Sequence, residues 1–460
     1  MTPTASASWQ ADEKHSLRLR IAAGLGLAGI VLVFLLGLRS PTALYAGLAL
    51  ALVAAAIAAE RTLPALLREP LVWATAVLAA WVFLRGWLDL ASATQRGLDP
   101  DPDAIWHHVR YTPLIAVLIG LWLAAWWQYR QAILLCAGIA ACIYVINTWE
   151  RLARGLPGGE RPFASAFGEA GIIAGTIIVF MVALVVLLLQ VPRAQRSLPQ
   201  WASLGLAIGV SLFLAFVFIA SQARAAWLAM LGTLLLLAVY GGWYLWRHAQ
   251  AHQRRVAGIA CGGGLALAAV AVALSWDIIA SRMLRDSGTI AVLLSGNVTP
   301  ENLPGGSLGD RYRMFRQGLI DIGNHPVWGV GPASIRDMLH EIWGKDRGGS
   351  GNYHSTWLNL MVAMGLPWTM LWLAVHVWII GRAVRELAVR HGETTLAMAL
   401  LGAALVQFGT LTFQVRIWSV NGSVLYLIVM SVACAVLLHR AVNRAGLVAT
   451  DHASKANSIV

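Results

Sequence analysis

IAAGLGLAGIVLVFLLGL, residues 21–38, follows a basic flank carrying Lys14, Arg18 and Arg20. An apolar run behind positive charge is either a cleaved secretory leader or a first membrane helix. A leader core has roughly 7–15 apolar residues and ends at a small-residue cleavage site. This run is longer and is followed by Arg39-Ser40-Pro41. It reads as a retained helix, because roughly 17–25 apolar residues are enough to cross a hydrocarbon core.

Runs of the same kind recur through most of the chain. They fall near 42–59, 71–88, 113–127, 132–149, 171–190, 202–220, 225–246, 257–276, 358–381, 394–413 and 423–438. With 58% hydrophobic and only 12% charged residues, the composition excludes a soluble domain. Backbone polar groups in lipid must be satisfied within the segment, so apolar runs of this length span as helices. The fold class expected is an all-α polytopic membrane protein with about twelve transmembrane helices.

Short loops give the orientation. Arg193 and Arg196, then Arg247, Arg254 and Arg255, then Arg382, Arg385 and Arg390 all fall on the side of the N-terminus. By the positive-inside rule that side is cytoplasmic, and an even number of spans returns the C-terminus to it. The organisation expected is a cytoplasmic N-terminus (1–20), nine spans (21–276), an outer loop (277–357), three spans (358–438) and a cytoplasmic tail (439–460). Much of the net charge of +12 is this topogenic set, so it is no argument for a nucleic-acid partner.

The four cysteines (Cys136, Cys142, Cys261, Cys434) all lie in predicted spans, which implies no disulfide framework and no Cys/His metal spacing. The acidic run at 99–103, with alternating prolines, reads as an extended loop rather than a metal site. The predicted spans contain no Asp or Glu, which counts against an ion-coupled transporter.

The outer loop of about eighty residues is far longer than an ordinary helix connection, and loops of that size are usually functional. Within it LGDRYRMFRQGLIDIGNHP places Phe315, Leu319 and Ile322 on one face of an amphipathic helix, ended by Gly323-Asn324 and Pro326. Arg311 falls on or near that face, Arg313 points elsewhere as a surface residue, and Asp310 either caps the helix or orients Arg311. Gly329, Gly331 and Pro332 form a turn that reverses the chain; a lone GxG is no nucleotide loop. The stretch 286–309 reads as a flap or an irregular segment.

Four positions carry the chemistry. Arg224 sits in the short outer turn of SQARAAWLAML, where an arginine faces a wet cavity or a partner rather than lipid. Arg311, and Arg161 in the outer loop near 150–170, add forked, permanently charged donors suited to phosphate. His354, in GNYHSTWLNLMVAMGLPW at 351–368, stands at the lip of an apolar helix. An imidazole with an ordinary pKa near 6.5 suits proton abstraction from a hydroxyl.

SQAR before a helix, DRYRMFRQGLIDIGNHPVWGVGPAS in the outer loop, and NYHSTWLNLMVAMGLP together resemble the O-antigen ligase and polymerase superfamily over roughly residues 200–420. The resemblance implies a GT-C-like, metal-independent and inverting glycosyltransferase of lipopolysaccharide biosynthesis, at the periplasmic face of a Gram-negative inner membrane. Its donor would be a glycan on undecaprenyl pyrophosphate, and a ligase would use a sugar hydroxyl of lipid A–core as acceptor. It would need no cofactor and would work among membrane lipids. Carried over by motif, Arg224 and Arg311 would hold the donor pyrophosphate and His354 would deprotonate the acceptor. RPFASAFGEAGIIAG, which begins at Arg161, resembles the family loop that reads glycine and then asparagine-rich before a helix; Glu169 departs from that pattern, so the resemblance assigns Arg161 no firm role. Where some members carry an acid in the last outer loop, this chain has Gln414, Arg416 and Asn421.

A single dominant outer loop favours the ligase over a polymerase, and a short tail favours it over a protein O-oligosaccharyltransferase. A lipid-linked oligosaccharide flippase is the alternative of a different class; it needs a cavity but no base.

Overall fold

In the computed structural model the described residues are 3–38, 40–95, 97, 100–153, 164–191, 197–221, 225–236, 287–296, 298–299, 302–303, 307–343, 352–390, 393–413 and 420–447, with four single positions between 272 and 285. Among them no strand occurs. Eight helices are long and apolar enough to cross a membrane, and up to ten if two bent pairs each count as one span. The protein is an all-helical polytopic membrane protein.

The chain begins with α1 (Pro3–Val31), which widens into a π-turn over Leu32–Leu36. Then come α2 (Pro41–Ile57), α3 (Ala59–Leu67), α4 (Pro70–Gln95), α5 (Asp103–Arg110), α6 (Pro113–Ala125), α7 (Arg130–Ala153), α8 (Ala164–Gln190) and α9 (Leu198–Ala220). Several start on proline, where the missing N–H is no loss; α2 adds a cap, Ser40 Oγ accepting from the Ala43 amide at 3.3 Å. A short apolar helix, α10 (Ala225–Leu236), follows. The expected span at 257–276 lies outside the described residues apart from Ala273 and Trp276. The segment between residues 277 and 357 contains α11 (Ser287–Leu294), α12 (Ser307–Asn324) and α13 (Ile335–Trp343), and next come α14 (Thr356–Met364), α15 (Leu366–Arg385), α16 (Thr394–Phe413) and α17 (Val420–Arg444).

At the centre stands α17, whose residues from Val424 to Met430 are essentially without solvent exposure, packed along α6 and against α15 and α16. Burial all round its circumference marks a helix enclosed by other helices. By contrast α4 and α9 leave Trp87, Leu88, Leu212 and Phe216 exposed, the faces a bilayer would cover.

Three expectations need correction. The span read at 358–381 is two helices: Gly365, at φ 84°, breaks the run, and the candidate membrane span starts at Leu366. A Cβ at Gly365 would collide with the Val327 carbonyl, so the turn at 326–328 presses into the break. Next, the span read at 42–59 turns by 96° at its end into α3. Last, the span read at 71–88 runs on to Gln95 and so includes a fully buried acid, Asp89.

Charged contacts gather at the two ends. Arg130–Glu393 (2.5 Å), Arg440–Glu386 (3.2 Å) and Arg444–Glu69 (2.9 Å) tie the end where α4 starts and α15 finishes. The candidate site lies at the opposite end.

Candidate active site

The site is built outward from α4. One turn apart on it, Arg85 and Asp89 grip the turn at 328–334 from two directions. Arg85 donates to the carbonyls of Trp328 (2.8 Å) and Gly329 (2.9 Å). The Asp89 carboxylate accepts from the amides of Ala333 (2.8 Å) and Ser334 (3.0 Å) and from the Ser334 hydroxyl (2.6 Å). These groups stand just before α13, so the acid also sits at the positive end of that helix. A Cβ on Gly331, at φ 104°, would strike the Asp89 carboxyl group.

Held this way, the turn caps α14. The Val330 amide donates to the Val362 carbonyl (2.7 Å) and the Gly331 amide to the Ala363 carbonyl (3.1 Å). Helix C-termini leave their last carbonyls without intrahelical donors, and here a distant loop supplies them. The glycine-rich turn therefore does more than reverse the chain. The first turn of α14 is closed by its own cap, Ser355 Oγ accepting from the Leu358 amide at 3.3 Å.

Immediately before that cap stands His354. Its φ of 53° is the only positive value at a non-glycine among the described residues, and such a conformation costs about 1 kcal/mol or more and persists only where its surroundings impose it. They do. The His354 amide donates to Asn352 Oδ1 (2.9 Å), and the Tyr353 amide to Asn359 Oδ1 on α14 (3.2 Å). The buried Tyr353 phenol donates to Asp321 Oδ2 on α12 (2.6 Å), whose other oxygen accepts from Gln317 (2.9 Å). Burial, reinforced by Asp321, drives the Tyr353 pKa far above its ordinary value, so the phenol keeps its proton.

The same helix brings Arg311 to His354. Burial, and after it the Arg311 cation, lower the His354 pKa from its ordinary 6.5, while Asp310 acts in the opposite direction. The imidazole is thus held neutral near pH 7, the form that can take a proton, beside a guanidinium that keeps its charge. A neutral base next to a fixed cation can deprotonate a hydroxyl while an anionic group is held close by.

Of the α12 face expected from the sequence, Ile322 is buried and Phe315 packs against the core, but Leu319 is exposed; the buried positions include Met314, Gly318, Asp321 and Ile322. Gly318 lies so close to Leu358 that a Cβ would stand 2.6 Å from its side chain. The absence of a side chain, not an apolar one, makes this contact. Arg313 is an anchor rather than a loose surface residue: it pairs with Asp310 (2.9 Å) and donates to the Leu303 carbonyl (2.7 Å). Part of the segment at 286–309 is helical, as α11.

Arg161, Arg224 and the last outer loop, with Gln414 and Arg416, lie outside the described residues. Glu169 is half-buried on α8, with the Tyr144 hydroxyl 3.4 Å from its carboxylate. Sequence reasoning missed Arg85, Asp89, Asp321, Tyr353 and Asn359. The one available signal was an arginine and an aspartate four residues apart at the end of an apolar helix; nothing local marks the others.

The family model described as O-Antigen ligase matches residues 209–373, a stretch that contains Arg224, Arg311 and His354 but not Arg161. A search among curated proteins finds no match.

Proposed function

We propose that this chain is a member of the O-antigen ligase/polymerase superfamily, a reading supported by the family match over 209–373, and that it is the ligase: a glycosyltransferase joining a lipid-carried glycan to a sugar hydroxyl of lipid A–core. The donor in this reading is a glycan on undecaprenyl pyrophosphate, and the site opens at the periplasmic face of the inner membrane. The observation that supports it is the convergence of the His354 turn with the Arg311-bearing helix α12, joined by the Tyr353–Asp321 hydrogen bond (2.6 Å) and the Gly318–Leu358 contact, which brings the Arg311 charge to act on the imidazole.

In this mechanism the acceptor hydroxyl oxygen attacks the anomeric carbon from the face opposite the pyrophosphate. His354 takes the hydroxyl proton as the new C–O bond forms. The anomeric carbon–oxygen bond breaks, its electron pair leaves with undecaprenyl pyrophosphate, and the configuration inverts. Arg311, joined by Arg224 and Arg161, stabilises the charge growing on the pyrophosphate, the work a divalent cation does in other glycosyl transfers. A pyrophosphate on a polyprenyl carrier is confined to the membrane boundary, and the position of His354 twelve residues ahead of the candidate span that starts at Leu366 supports such a site.

The test is glycan transfer by purified protein, with chelator present, from undecaprenyl-pyrophosphate glycan to lipid A–core, beside folded His354→Ala. Transfer by the wild type and loss on the order of a hundredfold or more in the variant is the expected result. A requirement for a divalent cation would overturn the role given to the arginines. Lengthening of the donor glycan without transfer to lipid A–core would make the protein a polymerase, and lipid-linked glycan translocation untouched by His354→Ala would make it a flippase.

A further inference from the structure

We infer that Tyr353, held by Asp321 and Asn359, is a positioning residue whose phenol hydroxyl fixes the left-handed backbone of His354 and thereby aims the imidazole. This rests on the reading of His354 as the base and deepens it.

Three independent features carry the inference. The first is the conformation itself: left-handed geometry at a non-glycine is uncommon, and it persists only where neighbouring contacts over-determine it. The second is that Tyr353 and His354, the two residues before the α14 cap, are pinned from three directions, by Asn352 on the His354 amide, by Asn359 on the Tyr353 amide, and by Asp321 on the Tyr353 hydroxyl. Asn359 and Asp321 belong to different helices, α14 and α12, so the turn is stapled between them. The third is that the staple lies on the helix that also brings Arg311. Asp321 sits ten residues after Arg311 on α12, and Gln317 and the Gly318–Leu358 contact lock the same stretch against α14.

Asn352 acts within the turn and Asn359 belongs to α14. Among the described contacts, the Tyr353 hydroxyl ties the turn to α12. Its bond to Asp321 makes the orientation of His354 depend on the position of the arginine-bearing helix. This contact couples the turn that carries the base to the helix that carries the cation.

The experiment uses Tyr353→Phe, Asp321→Ala, their double variant and Asp321→Asn in the full-length protein. The first readout is independent of activity: carbethoxylation of His354 by diethyl pyrocarbonate against pH, site-resolved by mass spectrometry. Without the hydroxyl, the turn relaxes and the ring gains solvent. Modification in Tyr353→Phe should then be faster and its pH midpoint higher, with Asp321→Ala matching it, the double variant no worse than either, and Asp321→Asn close to wild type. The second readout is transfer kinetics, where kcat should fall on the order of a hundredfold, the size of a small misplacement of a reacting group, with donor KM unchanged. A His354 profile in Tyr353→Phe that overlays the wild type overturns the inference, as does a rise in KM alone. If the wild type transfers no glycan, the proposed function falls, and the modification profile still decides the positioning role.

Discussion

Asp89 holds Ser334 by both ends, its carboxylate accepting from the backbone amide at 3.0 Å and from the hydroxyl at 2.6 Å, across 245 residues of sequence. A membrane helix thereby fixes the turn that caps α14, and α14 begins directly after His354 and its cap. Asp89→Ala leaves three donors facing an apolar interior without their acceptor. The expected loss is on the order of 3 kcal/mol, measured by thermal unfolding in detergent, with transfer activity reduced as well. Asp89→Asn, which keeps one carbonyl oxygen, should fall between the variant and the wild type. An Asp89→Ala protein as stable as the wild type would show that the clamp is dispensable.

The close approach behind that clamp can be tested from the other partner. Gly331 combines a positive φ with a Cβ position occupied by the Asp89 carboxyl group. Gly331→Ala should destabilise by more than about 2 kcal/mol, since strain and collision act together. Gly323, near the end of α12, has open space around its Cβ position. There alanine should be neutral or stabilise by up to about 1 kcal/mol through helix propensity. Similar effects from the two substitutions would remove the steric argument.

Activity should depend on pH through His354. Its pKa lies below 6.5, so the ring stays neutral and transfer persists below that pH, falling only as pH drops through the lowered value. The sign for stability follows: between the two values only the unfolded chain binds the proton, so the contribution is present above pH 6.5 and is lost on acidification. Arg311→Gln removes a cation that lowers the pKa, so the acid limb of the rate profile should move up. Asp310→Asn removes the opposing charge and should move it down. Shifts in the same direction would contradict this arrangement.

A buried contact away from the site offers a contrast. His376 on α15 has Nδ1 2.7 Å from the Trp372 carbonyl and Nε2 2.6 Å from the Tyr426 hydroxyl on α17. A carbonyl only accepts, so Nδ1 carries the hydrogen and Tyr426 donates to Nε2. Tyr426→Phe should cost about 1 kcal/mol, as for other hydrogen bonds between membrane helices, and leave transfer kinetics unchanged. A large loss of kcat would draw this pair into the catalytic machinery.

Apolar length alone determined the class of this protein, because a backbone in hydrocarbon has few alternatives to the helix; the runs at 171–190 and 394–413 coincide closely with the candidate membrane spans Glu169–Gln190 and Thr394–Thr412. Local chemistry also showed Arg311 and His354 as candidates and the end of α12 at Asn324. Other features were decided only by tertiary structure. The break at Gly365 is invisible in an unbroken apolar run, since it exists because Val327 presses into it. The rotation of α12 that exposes Leu319 follows from the fit of Gly318 against Leu358, which hydrophobic periodicity does not register. Asp89 reads as one more acid of an outer loop until Ser334 is set against it. Partners so far apart in the chain leave no mark in either stretch, because each residue has its role only once the other is packed against it.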